Sequence, residues 1–177
     1  FIFFCKNLQT FEKNITLFKD PRSSKLGVKG YVKKISTNLN FLQNFQEYEY
    51  KIYEKKLIKN LVPNSANDLI ENKSLLMENN FQNINAIDWN KGCYIGQEIT
   101  ARMKYRALLK KQIYVLELLS GSINIGDDII EKDINLGKVI SKIDSYILCM
   151  LKINFVIDKS LNKLQIKTDS STELKFL

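Results

Sequence analysis

The spacing of apolar residues changes character near Ala107, and this change confines the chain to an α+β architecture. Upstream, Phe41, Leu42, Phe45, Tyr48, Ile52, Tyr53 and Leu57 recur at intervals of three and four, with Lys and Glu between them. That period predicts an amphipathic helix over 38–60, closed by Leu61-Val62-Pro63-Asn64. Downstream, short apolar runs at 112–119, 123–125, 129–130, 136–140, 145–151, 154–157 and 164–167 are separated by turn signals such as Ser120-Gly121-Ser122 and Gly126-Asp127-Asp128. Strands this short, at this spacing, form a small antiparallel barrel or sandwich. The boundary between the two patterns divides the chain into 1–106 and 107–177.

Ahead of the helix, the runs 1–5 and 15–18 predict a hairpin or two sheet strands. Asp20-Pro21-Arg22-Ser23-Ser24 reads as a turn, and 26–32 as a further strand whose glycines allow a bulge or a close backbone approach. The opening Phe1-Ile2-Phe3-Phe4-Cys5 reads as a strand already under way, which implies that an N-terminal region is missing. Its apolar run is too short for a signal-peptide core, and no later run approaches the roughly twenty residues that a membrane span needs. Residues 64–90 have no clear period and carry many Asn residues, which predicts irregular structure.

Between the two patterns lies Lys91-Gly92-Cys93-Tyr94-Ile95-Gly96-Gln97-Glu98. One cysteine stands between two glycines, beside a lysine, ahead of a stretch at 97–106 with no helix breaker. A helix N-terminus and a nearby cation both favour a thiolate, so Cys93 is a candidate working thiol. The same residues also make a tight turn with Cys93 packed as a small apolar side chain, and local physics leaves both readings open. In 97–106, Gln97 and Glu98 fall in the first turn of a helix and Lys104 and Arg106 near its end, an order that suits the helix dipole. Ile99, Met103 and Arg106 would share one face, although the alternation Ile99, Ala101, Met103, Tyr105 also permits a strand. Glu98 either caps this helix or pairs with Arg102, four residues on.

Composition excludes several chemistries. The chain has no histidine, which removes His-based triads, histidine general bases and histidine metal ligands, and no metal site is expected. Its three cysteines, Cys5, Cys93 and Cys149, form no Cys-x-x-Cys pair, so a zinc knuckle and a thioredoxin motif are absent. Cys5 and Cys149 lie in apolar runs, and the odd count fits a reducing compartment. The net charge of +8 favours polyanions such as RNA, but the lysines are scattered along the chain and read as a solvated surface. Of the 27 cations only Arg22, Arg102 and Arg106 are arginine. Where lysine is the default, an arginine marks a use for the planar, bidentate guanidinium, and two of the three directly follow the octapeptide.

With these residues in view, the chain resembles the YgfZ family of folate-binding, GcvT-like proteins, whose signature is Lys-Gly-Cys-Tyr-x-Gly-Gln-Glu. Residues 91–98 match it with Ile95 at the open position. Ala101-Arg102 and Tyr105-Arg106 behind the signature fit as well, as do Asp20-Pro21-Arg22 with Leu26-Gly27, a long helix ending before Pro63, and Gly121, Gly126 and Gly137-Lys138-Val139. The resemblance covers most of 15–157. It implies the C-terminal part of a GcvT-like folate-binding α/β domain over 1–106, followed by a small antiparallel β-barrel over 107–177. The family's chain begins with a long α/β segment that helps build the folate pocket and has no counterpart here, so any folate site in this chain is expected to be incomplete.

By the resemblance, Cys93 is the functional thiol, and Lys91, Gly92, Tyr94, Gly96, Gln97, Glu98, Arg102 and Arg106 contact the cofactor, tetrahydrofolate or a derivative. Lys91 is the best placed to meet an anionic ligand such as the folate glutamate. Plainer readings stand beside these. Gly92 and Gly96 form turns, Tyr94 is a core aromatic, Arg102 and Arg106 make structural ion pairs, and Arg22 with Asp20 fixes a turn. Tyr48, Tyr53 and Trp89 are core rings or a platform for a pterin.

The implied function is a folate-dependent accessory role in iron–sulfur cluster assembly or repair, with effects on tRNA-modifying iron–sulfur enzymes, and conventional catalysis is not expected. The implied partners are iron–sulfur proteins or their assembly factors, in bacterial cytoplasm or the mitochondrial matrix, without membrane contact. A lone cysteine cannot hold a cluster, because clusters usually take four protein thiolates, so any cluster is shared with a partner or transient. Two alternatives remain from the sequence: a folate-dependent aminomethyltransferase like the glycine-cleavage T protein, and an RNA- or tRNA-binding module suggested by charge alone.

Overall fold

The computed structural model describes residues 2–3, 15–32, 48–106, 108–160, 165–167 and 172–177. Its first sheet contains β1 (Ile2–Phe3), β2 (Ile15–Lys19) and β3 (Val28–Val32). Both β1 and β2 pair antiparallel with β3 and not with each other, so the first two runs are sheet strands rather than a hairpin. A buried Asp20 shapes the link from β2 to β3. Its carboxylate accepts from the Arg22 backbone N–H at 3.0 Å and from the guanidinium at 3.0 and 2.8 Å, and Lys29 stands 3.4 Å away. Arg22 Nη2 also donates to Tyr53 Oη at 2.6 Å, so the turn-fixing pair clamps the turn onto the next helix.

That helix, α1 (Tyr50–Lys59), carries the second half of the predicted amphipathic segment, while Phe41, Leu42 and Phe45 lie outside the described residues. Its buried side chains are Tyr53, Leu57 and Ile58, whereas Tyr48 and Ile52, which share the predicted face, are exposed. The correction has a physical reason: the helix is covered on two sides. Tyr53 and Leu57 pack with Leu26, Val62 and Ile84, while Ile58 packs with Ile113, Val115 and Leu148 of the second sheet. The helix closes where the sequence indicates. Leu61 takes a left-handed φ of 52°, its N–H reaches Ile58 O at 2.9 Å, and the Val62 N–H reaches Leu57 O at 3.0 Å. This is a Schellman closure, and Pro63 follows at once.

Residues 64–90 form successive turns without helix or strand. Asn72, Asn80 and Asn85 adopt positive φ, which Asn tolerates better than most residues. The Asn80 amide donates to Leu61 O at 2.8 Å, and Glu78 O accepts from the Ile113 N–H at 2.9 Å, which ties this segment to the second sheet. The next helix, α2 (Gln97–Tyr105), leads to that sheet.

The second sheet contains β4 (Lys111–Ser120), β5 (Asp128–Glu131), β6 (Ile134–Ile143), β7 (Tyr146–Lys152), β8 (Gln165–Lys167) and β9 (Glu173–Phe176). All its pairings are antiparallel, in the order β5-β6-β7-β4-β9-β8, and the edge strands β5 and β8 approach each other. The sheet therefore curls into a half-barrel. Alternation along the central strands sorts side chains by face. Leu116, Ile147, Cys149 and Leu151 fill the inside, and Ile113, Val115 and Leu148 lie outside against α1. Burial pushes the Cys149 thiol pKa well up. At Gly137 a Cβ would fall 2.0 Å from Met150 O, so β6 approaches β7 too closely for any side chain.

Three expectations for this half are corrected. Residues 123–125 are not a strand: the Asp127 carboxylate accepts the Asn124 N–H at 2.7 Å, and Ile125 is 65% exposed. Residues 154–157 belong to a helix, α3 (Ile153–Ser160), which starts directly from β7 and drops Val156 into the barrel core. The half after Ala107 is therefore not all-β. Strand β9, which the sequence reading leaves out, pairs with both β4 and β8 and buries Leu174 and Phe176. The molecule as described is α+β.

Candidate functional site

The signature residues fold as an irregular run, a turn and the start of α2. Gln97 N–H donates to Tyr94 O at 3.2 Å, which closes a turn over 94–97. Gly96 sits at the third position with φ 87° and ψ −3°, the values a type II turn requires there and the reason for its glycine. The Gln97 side chain folds back, and its Oε1 accepts the Tyr94 N–H at 3.1 Å. Ile95, at the tip, is fully exposed. Of the two folds open to 97–106, the helix forms, but its buried residues are Thr100 and Met103, while Ile99 is 54% exposed and Arg106 is exposed. The face predicted from Ile99, Met103 and Arg106 is thus rotated toward solvent at two of its three positions.

Cys93 is exposed and free, three residues before the Gly96 N-cap, and so lies ahead of the first helical turn. Lys91 is exposed, with Nζ 4.5 Å from the centroid of the half-buried Tyr94 ring. Gly92 differs from Gly96. It has no positive φ, and a Cβ there would meet nothing within 4 Å. The fold therefore does not need glycine at 92, contrary to its reading as a turn-former. Glu98 and Arg102 form the expected ion pair along the exposed side of α2.

A second group gathers at the far end of α2. Trp89 and Tyr105 meet edge-on with centroids 6.1 Å apart, and Lys104 Nζ lies 3.8 Å from the Trp89 centroid and 5.4 Å from that of Tyr105. The sequence gives no sign of this cluster, because Trp89 lies sixteen residues before Tyr105 and the pairing depends on how the loop runs back along the helix. Tyr53, a candidate pterin platform, is instead a core ring bound to Arg22.

Two clefts, of about 860 and 500 Å³, lie beside α1 and β6, with Glu54, Ile125, Lys142 and Ile143 common to both. Residues 91–106 line neither of them. Among the described residues no group of three or more His, Cys, Asp or Glu could hold a metal, and no helix is long and apolar enough to cross a membrane.

No family model matches the chain. It is 28% identical over 113 residues to the mouse (Mus musculus) "Iron-sulfur cluster assembly factor IBA57, mitochondrial", a match spanning 60% of this chain and 29% of that protein. It is 29% identical over 100 residues to the Neurospora crassa IBA57 homologue, covering 56% and 23% of the two chains. To the "tRNA-modifying protein YgfZ" of Aliivibrio fischeri it is 38% identical over 77 residues, covering 44% and 24%. The matches to the curated relatives span about a quarter of those proteins' length.

Proposed function

We propose, on the premise that this chain is a homologue of the IBA57 and YgfZ proteins, that it carries the thiol-presenting part of an iron–sulfur cluster assembly factor. The observation that carries this reading is the open Cys93 beside Gly92, a glycine that neither backbone conformation nor packing requires. A side chain missing for no structural reason next to a free thiol leaves room for another molecule to approach it. Cys93 then handles a cluster or a sulfur species as cargo. The described residues supply no further ligand set, so the remaining ligands come from a partner iron–sulfur protein or assembly factor. In this reading 1–106 is part of a GcvT-like domain, 107–177 is the small barrel that supports it, and the protein is an accessory factor rather than an enzyme. Its compartment is the cytoplasm of a bacterium or the mitochondrial matrix of a eukaryote.

Folate fits this chain only in part. Lys91 over Tyr94, with the exposed Arg102 and Arg106, offers cations and a ring to a pterin glutamate, but residues 91–106 line neither of the two clefts described. No step of the proposed function passes through folate. The aminomethyltransferase reading is not favoured, since the named relatives are assembly and tRNA-modifying factors.

The test is complementation of a strain lacking its own factor, read as the activity of an iron–sulfur enzyme. Cys93→Ala is expected to abolish rescue while its circular dichroism and melting temperature match the parent. Full rescue by Cys93→Ala would refute the thiol role.

A further inference from the structure

The end of α2 is built differently from its beginning. Trp89 and Tyr105 form a ring pair with Lys104 against both, and Tyr105 is 71% exposed, so its ring is open to a further stacking partner. Arg106 follows Tyr105 directly and Lys110 comes five residues after it in the chain, both exposed. Over 88–111 six cations face two carboxylates, and one of the two, Glu98, is already paired with Arg102. Among the described residues Lys104, Arg106 and Lys110 have no carboxylate partner. A compact planar ligand would bury little area on so open a face. A polymer that repeats a flat ring and an anion gains from it at every repeat. Bases stack on exposed aromatic rings, and phosphates meet the cations between them. An acidic protein surface would use the cations but not the rings.

We propose that Trp89 and Tyr105, with Lys104, Arg106 and Lys110, bind single-stranded nucleic acid. The nine residues of α2 put this patch about 13 Å from the helix start, so it is separate from the Cys93 turn and does not depend on the thiol reading.

Fluorescence anisotropy of the full chain with a 5′-fluorescein-labelled rU12 or dT12 oligonucleotide tests the proposal; the two probes tell RNA from DNA, and tight binding of either supports it. The expected result is binding at low salt with a log–log salt slope of about −2 to −3, since each phosphate contact on a single strand contributes roughly −0.7. Tyr105→Ala should weaken binding about five-fold or more with the slope unchanged, as the loss of one stacked base predicts. Arg106→Ala should make the slope shallower by about 0.7. Because Tyr105 is exposed, its variant is expected to melt as the parent does, and Cys93→Ala should bind normally. The proposal is overturned by no binding at 50 mM KCl, by affinity that survives Tyr105→Ala, by polyglutamate of equal charge competing as well as the oligonucleotide, or by folic acid displacing it.

Discussion

Gly92 and Gly96 stand four residues apart in one motif, yet only Gly96 is held by the backbone. The contrast separates stability from function. Gly96→Ala should cost about 1–2 kcal/mol in urea denaturation, the usual penalty of a left-handed non-glycine residue. Gly92→Ala should leave stability unchanged but reduce complementation if Cys93 needs clearance. The two described cysteines differ in the same way: iodoacetamide is expected to label Cys93 in the folded protein and Cys149 only after unfolding, with mass spectrometry locating the adduct. Asp20 supplies a pH prediction. Burial raises its carboxyl pKa, but the hydrogen bonds from Arg22 and the charges of Arg22 and Lys29 outweigh that and hold it below the ordinary value. A depressed folded-state pKa stabilises the fold above the unfolded value near 4 and loses that contribution as pH falls through the folded one. Melting temperatures from pH 7 down to pH 3 should therefore fall more steeply for the parent than for Asp20→Asn. The Asp20–Arg22 pair is legible in the sequence, being two residues apart beside a proline. The bond from Arg22 to Tyr53 is not, because it joins residues 31 apart.

At the scale of elements, α1 shows why period alone misplaces a face. Covered on two sides, it buries Ile58 and exposes Ile52. Ile58→Ala should cost about 2–4 kcal/mol and Ile52→Ala within about 0.5 kcal/mol, compared by chemical denaturation. The strands β4, β6 and β7 are legible because their apolar-rich runs are bounded by turns that carry Gly, Asp or Ser. The failures are short. Four apolar-rich residues at 154–157 fit a strand or a helix equally, and the direct exit from β7 decides for α3. Strand β9 has only four residues, and its pairing with β4 is a contact across more than fifty positions that no local pattern announces. Residues 123–125 look apolar, but the Asp127 carboxylate ties Asn124 into a turn instead of a ladder.

For the whole molecule, the octapeptide is the part of the candidate site that the sequence exposes, and its surroundings are what it conceals. The lysines look scattered along the chain, yet folding sets Lys104 over the Trp89–Tyr105 ring pair, with the exposed Arg106 next in the chain. Helix α1 holds the molecule together in an equally hidden way. It is shared by the cluster under Leu26 and the cluster on the outer face of the half-barrel, and Lys51 and Lys55 add contacts to Asp144 at the β6–β7 turn. Neither cluster can open without disturbing that helix. Amide hydrogen exchange should therefore find the amides of α1 and of the centre of β7 in one slow class, lost together under EX2 conditions as denaturant rises, instead of two halves that open in turn.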